Sequence, residues 1–288
     1  MSVTDFPPSG PAPWSVSRDL PPYRGILAVD AKDFTGRPAV EHVTIATAIP
    51  QLLRQTLDRA GLGELWKDQR FANHTGDGFV FGFDPTALPR VIHPFLNELQ
   101  ELLTDYNIHA TATGPLRLRV SLHVGPLPDS GAPGDGNGTP RNDTHRLLDS
   151  RPVKLMLASS ENITQVAAIV SQRVFEDAVL SGYTRLHPDR FIEVPATVEG
   201  KNFQQRAWLH VPAPSGSLYD RRILGEDSQP DEAQPSTGEA PARPAQQPAG
   251  PTTSYDRSFI SHSENVHGGQ NINNYDGPGP RNGGGAGR

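Results

Sequence analysis

Short apolar runs alternate along the chain with longer stretches whose apolar residues recur every three to four positions. Gly25-Ile-Leu-Ala-Val-Asp30 is an apolar run closed by an acid, which predicts a buried strand with its carboxylate at the C-terminal edge. Val40, Val43, Leu52, Leu53, Leu57 and Ala60 follow at helical spacing. Pro50 predicts a kink or two helices there, and Gly61 and Gly63 end the pattern. Residues 70–75 and 79–83 flank Gly76-Asp77-Gly78, the chemistry of a tight β-hairpin turn. Asp84-Pro85-Thr86 opens a helix whose apolar positions Leu88, Val91, Ile92, Phe95, Leu99, Leu102 and Leu103 keep a clean 3.6-residue period. Residues 116–124 alternate strictly, with leucine and valine on one face, a half-covered strand. A Gly/Pro/Asp/Asn loop spans 125–140. A helical stretch over 142–157 is broken or restarted at Pro152. Residues 166–170 read as a buried strand and 172–179 as a helix capped by Ser171. Strands at 191–194 and 207–211 close the pattern. The order β-α-β-β-α-β-α-β-α-β-β predicts an α+β domain: one mixed, mostly antiparallel sheet with helices packed on it.

Composition divides the chain. From Pro212 to Arg288 only seven residues are Val, Ile, Leu, Met or Phe, too few to offset the entropy of ordering, so this stretch reads as disordered. Residues 1–22, with Pro7-Pro8 and Pro11-Ala-Pro13, read the same way. The expected organisation is a disordered segment 1–22, a folded domain 23–211, a Pro/Gln-rich linker 212–257 and an Asn/Gln/Gly-rich tail 258–288. The net charge of −6 gives no bulk basic footprint for nucleic acid. No apolar run is long enough for a membrane span, and no secretory signal pattern opens the chain, so a cytoplasmic location is expected. With no cysteine, disulfides, thiolate zinc sites and cysteine nucleophiles are excluded.

Two acids stand out by position. Asp30 ends the first strand and Asp77 sits in the hairpin turn. A sheet that sets the first strand beside the hairpin brings both carboxylates to one edge. Carboxylates together with substrate phosphates are natural ligands of magnesium, and a pair of metals about 3.5–4 Å apart serves phosphoryl chemistry. Both positions also suit purely structural aspartates, and the residues by themselves leave that choice open. His123 lies opposite the leucines of its strand, as a sheet-surface histidine does.

Three blocks carry a family resemblance. Ile26-Leu-Ala-Val-Asp-Ala-Lys-Asp-Phe-Thr35, Thr75-Gly-Asp-Gly-Phe-Val-Phe81 and Leu118-Arg-Val-Ser-Leu-His-Val-Gly125 resemble, in order and spacing, the class III nucleotidyl (adenylate/guanylate) cyclase catalytic domains, as a divergent bacterial member. The resemblance implies a ferredoxin-like palm that converts a purine nucleoside triphosphate to its 3′,5′-cyclic nucleotide and pyrophosphate. It implies two Mg2+ or Mn2+ ions per site and sites shared across a homodimer. By position, Asp30 and Asp77 would hold the metals, and the backbone of Ala31, Lys32, Asp33, Phe34 and Thr35 would wrap the triphosphate. Asn142 would orient the ribose, Arg146 would stabilise the transferring phosphoryl group and Lys201 would bind phosphate. Asn73 stands where the family reads the purine, and is neither the adenine nor the guanine choice. Asp135 stands where adenine-specific members carry an Asp. Asp33 replaces a family glycine.

The tail adds a second theme. Gln270-Asn-Ile-Asn-Asn-Tyr275 has little charge, no proline and alternating polar and apolar residues, properties of a segment able to stack as a cross-β zipper. It resembles the short amyloid-like signalling motifs at the ends of some bacterial immune proteins, which implies a partner protein met through residues 258–276. Two readings follow: a metal-dependent cyclase, or a catalytically inactive nucleotide-binding scaffold that signals through this tail.

Overall fold

The computed structural model describes residues 11–110 and 112–216. The expectations for the linker beyond residue 216, for the tail and for residues 1–10 lie outside the described residues. Seven strands form one sheet: β1 (Tyr23–Ala31), β2 (Arg70–His74), β3 (Gly78–Phe83), β4 (Leu118–Pro126), β5 (Val166–Ser171), β6 (Ile192–Thr197) and β7 (Gln204–His210). Their order is β2-β3-β1-β4-β5-β7-β6. Every neighbouring pair is antiparallel except β4 with β5. The helices are α1 (Ala39–Arg59), α2 (Gly63–Lys67), α3 (Leu88–Ile92), α4 (Phe95–His109), α5 (Thr139–Leu148), α6 (Arg151–Ser159) and α7 (Gln172–Val174), the last running on as a π-helical turn Phe175–Leu180. The first half, β1-α1-β2-β3-α4-β4 in the spatial order β2-β3-β1-β4, is the ferredoxin-like split βαβ arrangement.

Alternation along β1 sorts its side chains. Leu27, Val29 and Ala31 join the main core, packed under Ile45, Ile49, Leu52, Leu53 and Leu57 of α1 and Phe95, Leu96, Leu99 and Leu103 of α4. Ile26 and Ala28 face the other way, against Val80, Leu127 and Leu148. Asp30 follows on that second face, where α5 packs. A third cluster joins α6 (Val153, Met156, Leu157) to the second half of the sheet through Ile169, Val194 and Leu209. No helix among the described residues is long and apolar enough to cross a membrane.

Two expectations need correction. The helix over residues 88–103 is two helices, parted at His93-Pro94, where His93 is extended (φ −148°, ψ 123°). A residue before proline is pushed out of the helical region by the ring. Pro50, expected to kink or split its helix, lies inside an unbroken α1. There Ile45, Ile49, Leu52 and Leu53 are all buried and hold the turns on both sides. Asp84 starts its turn as expected, accepting the Thr86 amide at 2.9 Å.

Both outer strands are blunted. β2 carries a register irregularity between Arg70 and Asn73. β6 carries Glu193 and Pro195. Inside, Gln100 ties α4 to β5: its Oε1 accepts the amides of Gln165 (2.9 Å) and Val166 (3.0 Å), and its Nε2 donates to Ile163 O at 3.0 Å. Gln100→Leu strands those buried amides, so a loss of about 2–3 kcal/mol is expected in urea unfolding; an unchanged midpoint would show the tie to be dispensable.

Candidate functional site

Three strands converge on Asp30. Its register partners are Gly78 in β3 and Arg119 in β4, and directly opposed residues of an antiparallel pair share a face. The hairpin lies tight against β1. Ala31 N–H donates to Asp77 O at 2.8 Å. A Cβ on Gly78 would overlap the Val29 carbonyl oxygen and stand 3.1 Å from Asp30 Cα. The turn uses Gly76 at φ 89°, a left-handed conformation open to glycine. Asp77 is thereby carried to the same rim as Asp30, and its carboxylate has no hydrogen-bond or ion-pair partner among the described residues.

Asp30 is not free in the same way. Arg119 Nε donates to its Oδ1 at 2.7 Å and Nη2 to its Oδ2 at 2.8 Å, a bidentate fork. Burial pushes the Asp30 carboxyl up to about 7; the Arg119 guanidinium pulls against this and the Asp77 charge adds to it. An acid whose folded value is raised keeps its proton while the unfolded chain loses it, so stability falls as pH rises from about 4 to about 7. Asp30→Asn removes this slope: urea unfolding at pH 4.5 and 7.5 is expected to show the wild type losing more stability between the two than the variant. Parallel behaviour would contradict it.

The third side of the site is α5. Its start is marked by Gly138 and by Pro140 in the first turn, where proline is preorganised for helix. Gly125 lets Pro140 approach β4, since a Cβ there would meet its ring at 2.5 Å. Ser121 Oγ donates to Thr144 O at 2.8 Å, and Thr144 and Leu147 are fully buried. With that side anchored, Asn142, His145 and Arg146 face a cavity of about 540 Å3 lined also by Asp30, Thr75, Asp77, Asp149 and Lys201. Arg146 is steadied by Asp143 (Nη1 to Oδ1, 3.4 Å) and by the Phe203 ring, 5.6 Å from its guanidinium carbon. Burial pushes His145 below the usual histidine value, helped by the Arg141 charge.

Five residues singled out in the sequence, Asp30, Asp77, Asn142, Arg146 and Lys201, thus line one cavity of one chain. The others lie elsewhere. Ala31 is buried at the end of β1. Lys32 N–H donates to Arg117 O at 2.9 Å, and Lys32 and Asp33 line a different cavity. Phe34 stacks on His42 at 4.3 Å, and Thr35 is exposed in the turn beside it. Asn73 is exposed on β2, paired with Val80. Asp135 closes its own loop, accepting the amides of Gly131 (2.7 Å) and Ala132 (3.2 Å). Arg119, Thr75, His145 and Asp149 were not anticipated. Arg119 had a legible signal, since strict alternation sets it opposite the leucines of its strand.

Whether a divalent cation fits turns on the donors. No group of three or more His, Cys, Asp or Glu among the described residues could hold a metal unaided. Magnesium in nucleotide sites asks for less: one or two carboxylates, with the substrate's phosphates supplying the rest. Asp77 offers an unengaged carboxylate, and Asp30 offers one now satisfied by a cation, the guanidinium. The pair fits an ion that arrives with phosphate, and not a stand-alone metal centre.

No protein-family model matches the chain, and no curated protein matches it in sequence. Solved structures do resemble it. The adenylate/guanylate cyclase/hydrolase of Silicibacter pomeroyi is 19% identical, with 67% of this chain and 98% of that one covered at a TM-score of 0.46. The guanylyl cyclase Cya2 is 17% identical over 69% and 95% of the two chains, with a TM-score of 0.45. The adenylyl cyclase CyaB of P. aeruginosa is 16% identical over 66% and 93%, with a TM-score of 0.40.

Proposed function

We propose that the cavity between β1, the β2–β3 turn and α5 binds a purine nucleoside triphosphate and turns it into a 3′,5′-cyclic nucleotide and pyrophosphate. One observation carries this reading. Residues from four separate segments, Asp30, Asp77, Asn142 with Arg146, and Lys201, line a single cavity, and the family resemblance assigns this chemistry to each of them. Asp77 and Asp30 would hold Mg2+ or Mn2+ brought with the substrate, and such an ion would supply charge stabilisation to phosphate oxygens. Asn142 accepts or donates to ribose hydroxyls. The ribose 3′-oxygen bonds to the α-phosphorus, the α–β bridging bond breaks, pyrophosphate leaves and the hydroxyl proton passes to water. Arg146, steadied by Asp143 and Phe203, offers a fixed positive charge to the phosphoryl group as its own charge grows. Lys201 meets the departing phosphates. The resemblance implied a site to which each protomer of a homodimer lends half; in this reading Asp30, Asp77, Asn142, Arg146 and Lys201 come from one chain, so a partner is not needed to complete the cavity.

A second reading has its own observation. The Arg119 fork satisfies both oxygens of Asp30, which favours nucleotide binding without turnover, with signalling passed on through residues 258–276. The experiment that separates the two is incubation of the full chain with each of the four nucleoside triphosphates and Mn2+, alongside calorimetry with the same nucleotides. Product supports the cyclase. Binding without product supports the scaffold. Neither binding nor product removes both.

A further inference from the structure

His145 lines the cavity between β1, the β2–β3 turn and α5, and the cyclisation described for that cavity gives it no task. We propose that it takes up the proton lost by the ribose 3′-hydroxyl as the ring closes. This rests on the proposed cyclase activity and supplies a base for it.

The placement comes from α5. Asn142, His145, Arg146 and Asp149 stand at helix positions i, i+3, i+4 and i+7, and all of them line the cavity. Residues three or four apart on a helix are surface neighbours, about 5–6 Å between Cβ atoms. The imidazole therefore lies beside the residue assigned to the ribose hydroxyls and next in the chain to the one assigned to the phosphoryl group. A hydroxyl held by Asn142 is met by it directly or through one water, the span over which a general base works.

The ring is also uncommitted. It is half-buried, and among the described residues neither nitrogen makes a hydrogen bond or an ion pair. Burial, helped by the Arg141 charge, holds it below the usual histidine value, so at neutral pH one nitrogen keeps its lone pair. The other groups around the cavity are engaged. Asp30 accepts the Arg119 fork, and Asp149 accepts from Lys154. Asp30 and Asp77 are assigned to the metal ions, Arg146 and Lys201 to phosphate.

The step balances. The O3′–H bond breaks, and its electron pair joins O3′ to the α-phosphorus. The bond from the α-phosphorus to the bridging oxygen breaks, and its pair leaves with pyrophosphate. The proton crosses the intervening water to a His145 nitrogen, and the imidazolium returns it to solvent once the products have left.

The test is chromatographic assay of cyclic product from the full chain with Mn2+ and each nucleoside triphosphate, first at pH 7.5. His145→Gln keeps polar atoms but accepts no proton; it is expected to lower kcat about 100-fold and to leave KM within about twofold. His145→Ala is expected to lose as much and to regain product when imidazole is added, to which the wild type is indifferent. A packing role gives no such rescue. Should His145→Ala fail to fold by circular dichroism, the ratio of wild-type to His145→Gln kcat is followed down to pH 5. Titration of Asp30 acts on both proteins and cancels, so the ratio is expected to fall below about pH 6.5 as His145 takes a proton from solvent; a constant ratio overturns the proposal. Wild-type kcat in His145→Gln, or a folded His145→Ala that imidazole does not restore, overturns it while leaving the cyclase reading in place. No product from the wild type overturns both.

Discussion

Asp77→Ala is expected to cut cyclic-nucleotide formation by more than about 100-fold and leave the fold intact. Even groups that only orient metal ligands cost about 10–100-fold when removed, and in the proposed reading Asp77 is itself the unengaged ligand. The structural cost is small for a concrete reason. It is the Asp77 backbone carbonyl, not the side chain, that accepts Ala31 N–H and joins the hairpin to β1. A partly exposed carboxylate without a partner contributes within about 0.5 kcal/mol of nothing. Chromatographic assay of product together with a thermal melt reads both quantities. Full product from Asp77→Ala would remove the carboxylate from the mechanism. A large fall in melting temperature would show the side chain to be structural.

Gly78→Ala is expected to destabilise the protein by about 3 kcal/mol, the upper end of ordinary overpacking, because the added methyl meets main chain and not a movable side chain. Its Cβ overlaps the Val29 carbonyl oxygen and crowds Thr75 Oγ1 at 2.9 Å. The hairpin must then lift from β1, carrying Asp77 away from Asp30. A displacement of about 1 Å in a reacting constellation can cost 100-fold, so activity falls even where the variant remains folded. Gly76→Ala is the contrast. That glycine has open space around it and a φ of 89°, so its substitution costs about 1–2 kcal/mol of backbone strain and leaves the strand contact in place. Urea unfolding of the two variants side by side checks the ranking; equal losses would mean that the contact with β1 is not what Gly78 protects.

The architecture was legible where a local pattern and its burial agree. Gly25-Ile-Leu-Ala-Val-Asp30 reads as a buried strand ending in an acid and Gly76-Asp77-Gly78 as a tight turn, and the two carboxylates were expected to converge only if the sheet set β1 beside the hairpin, as it does. The two prolines show where legibility ends. Pro50 and Pro94 carry the same intrinsic penalty, yet one lies within a continuous helix and the other divides two. Burial on either side does not separate them, since Ile45, Ile49, Leu52 and Leu53 around Pro50 and Val91, Ile92, Phe95 and Leu96 around Pro94 are all buried, and no local window tells the two apart. The site divides in the same way. Asn142 and Arg146 were found through the family resemblance, which asks for an Asn and an Arg four positions apart on this helix. Arg119 was missed because its partner lies 89 positions away, and only the register of β1 against β4 brings them together. Asp135 drew attention by its distance from Asn142, but an aspartate among glycines finds the nearest amides first.

The blunted rims of the sheet limit how copies of the chain can associate. A strand from another molecule would need a straight run of unpaired amides and carbonyls along β2 or β6. β2 breaks that run with its register shift, and β6 with a proline that has no N–H to give and a charged glutamate beside it. Growth of this sheet from molecule to molecule is therefore disfavoured at both ends, and among the described residues the surfaces left for pairing are sheet faces, helices and loops.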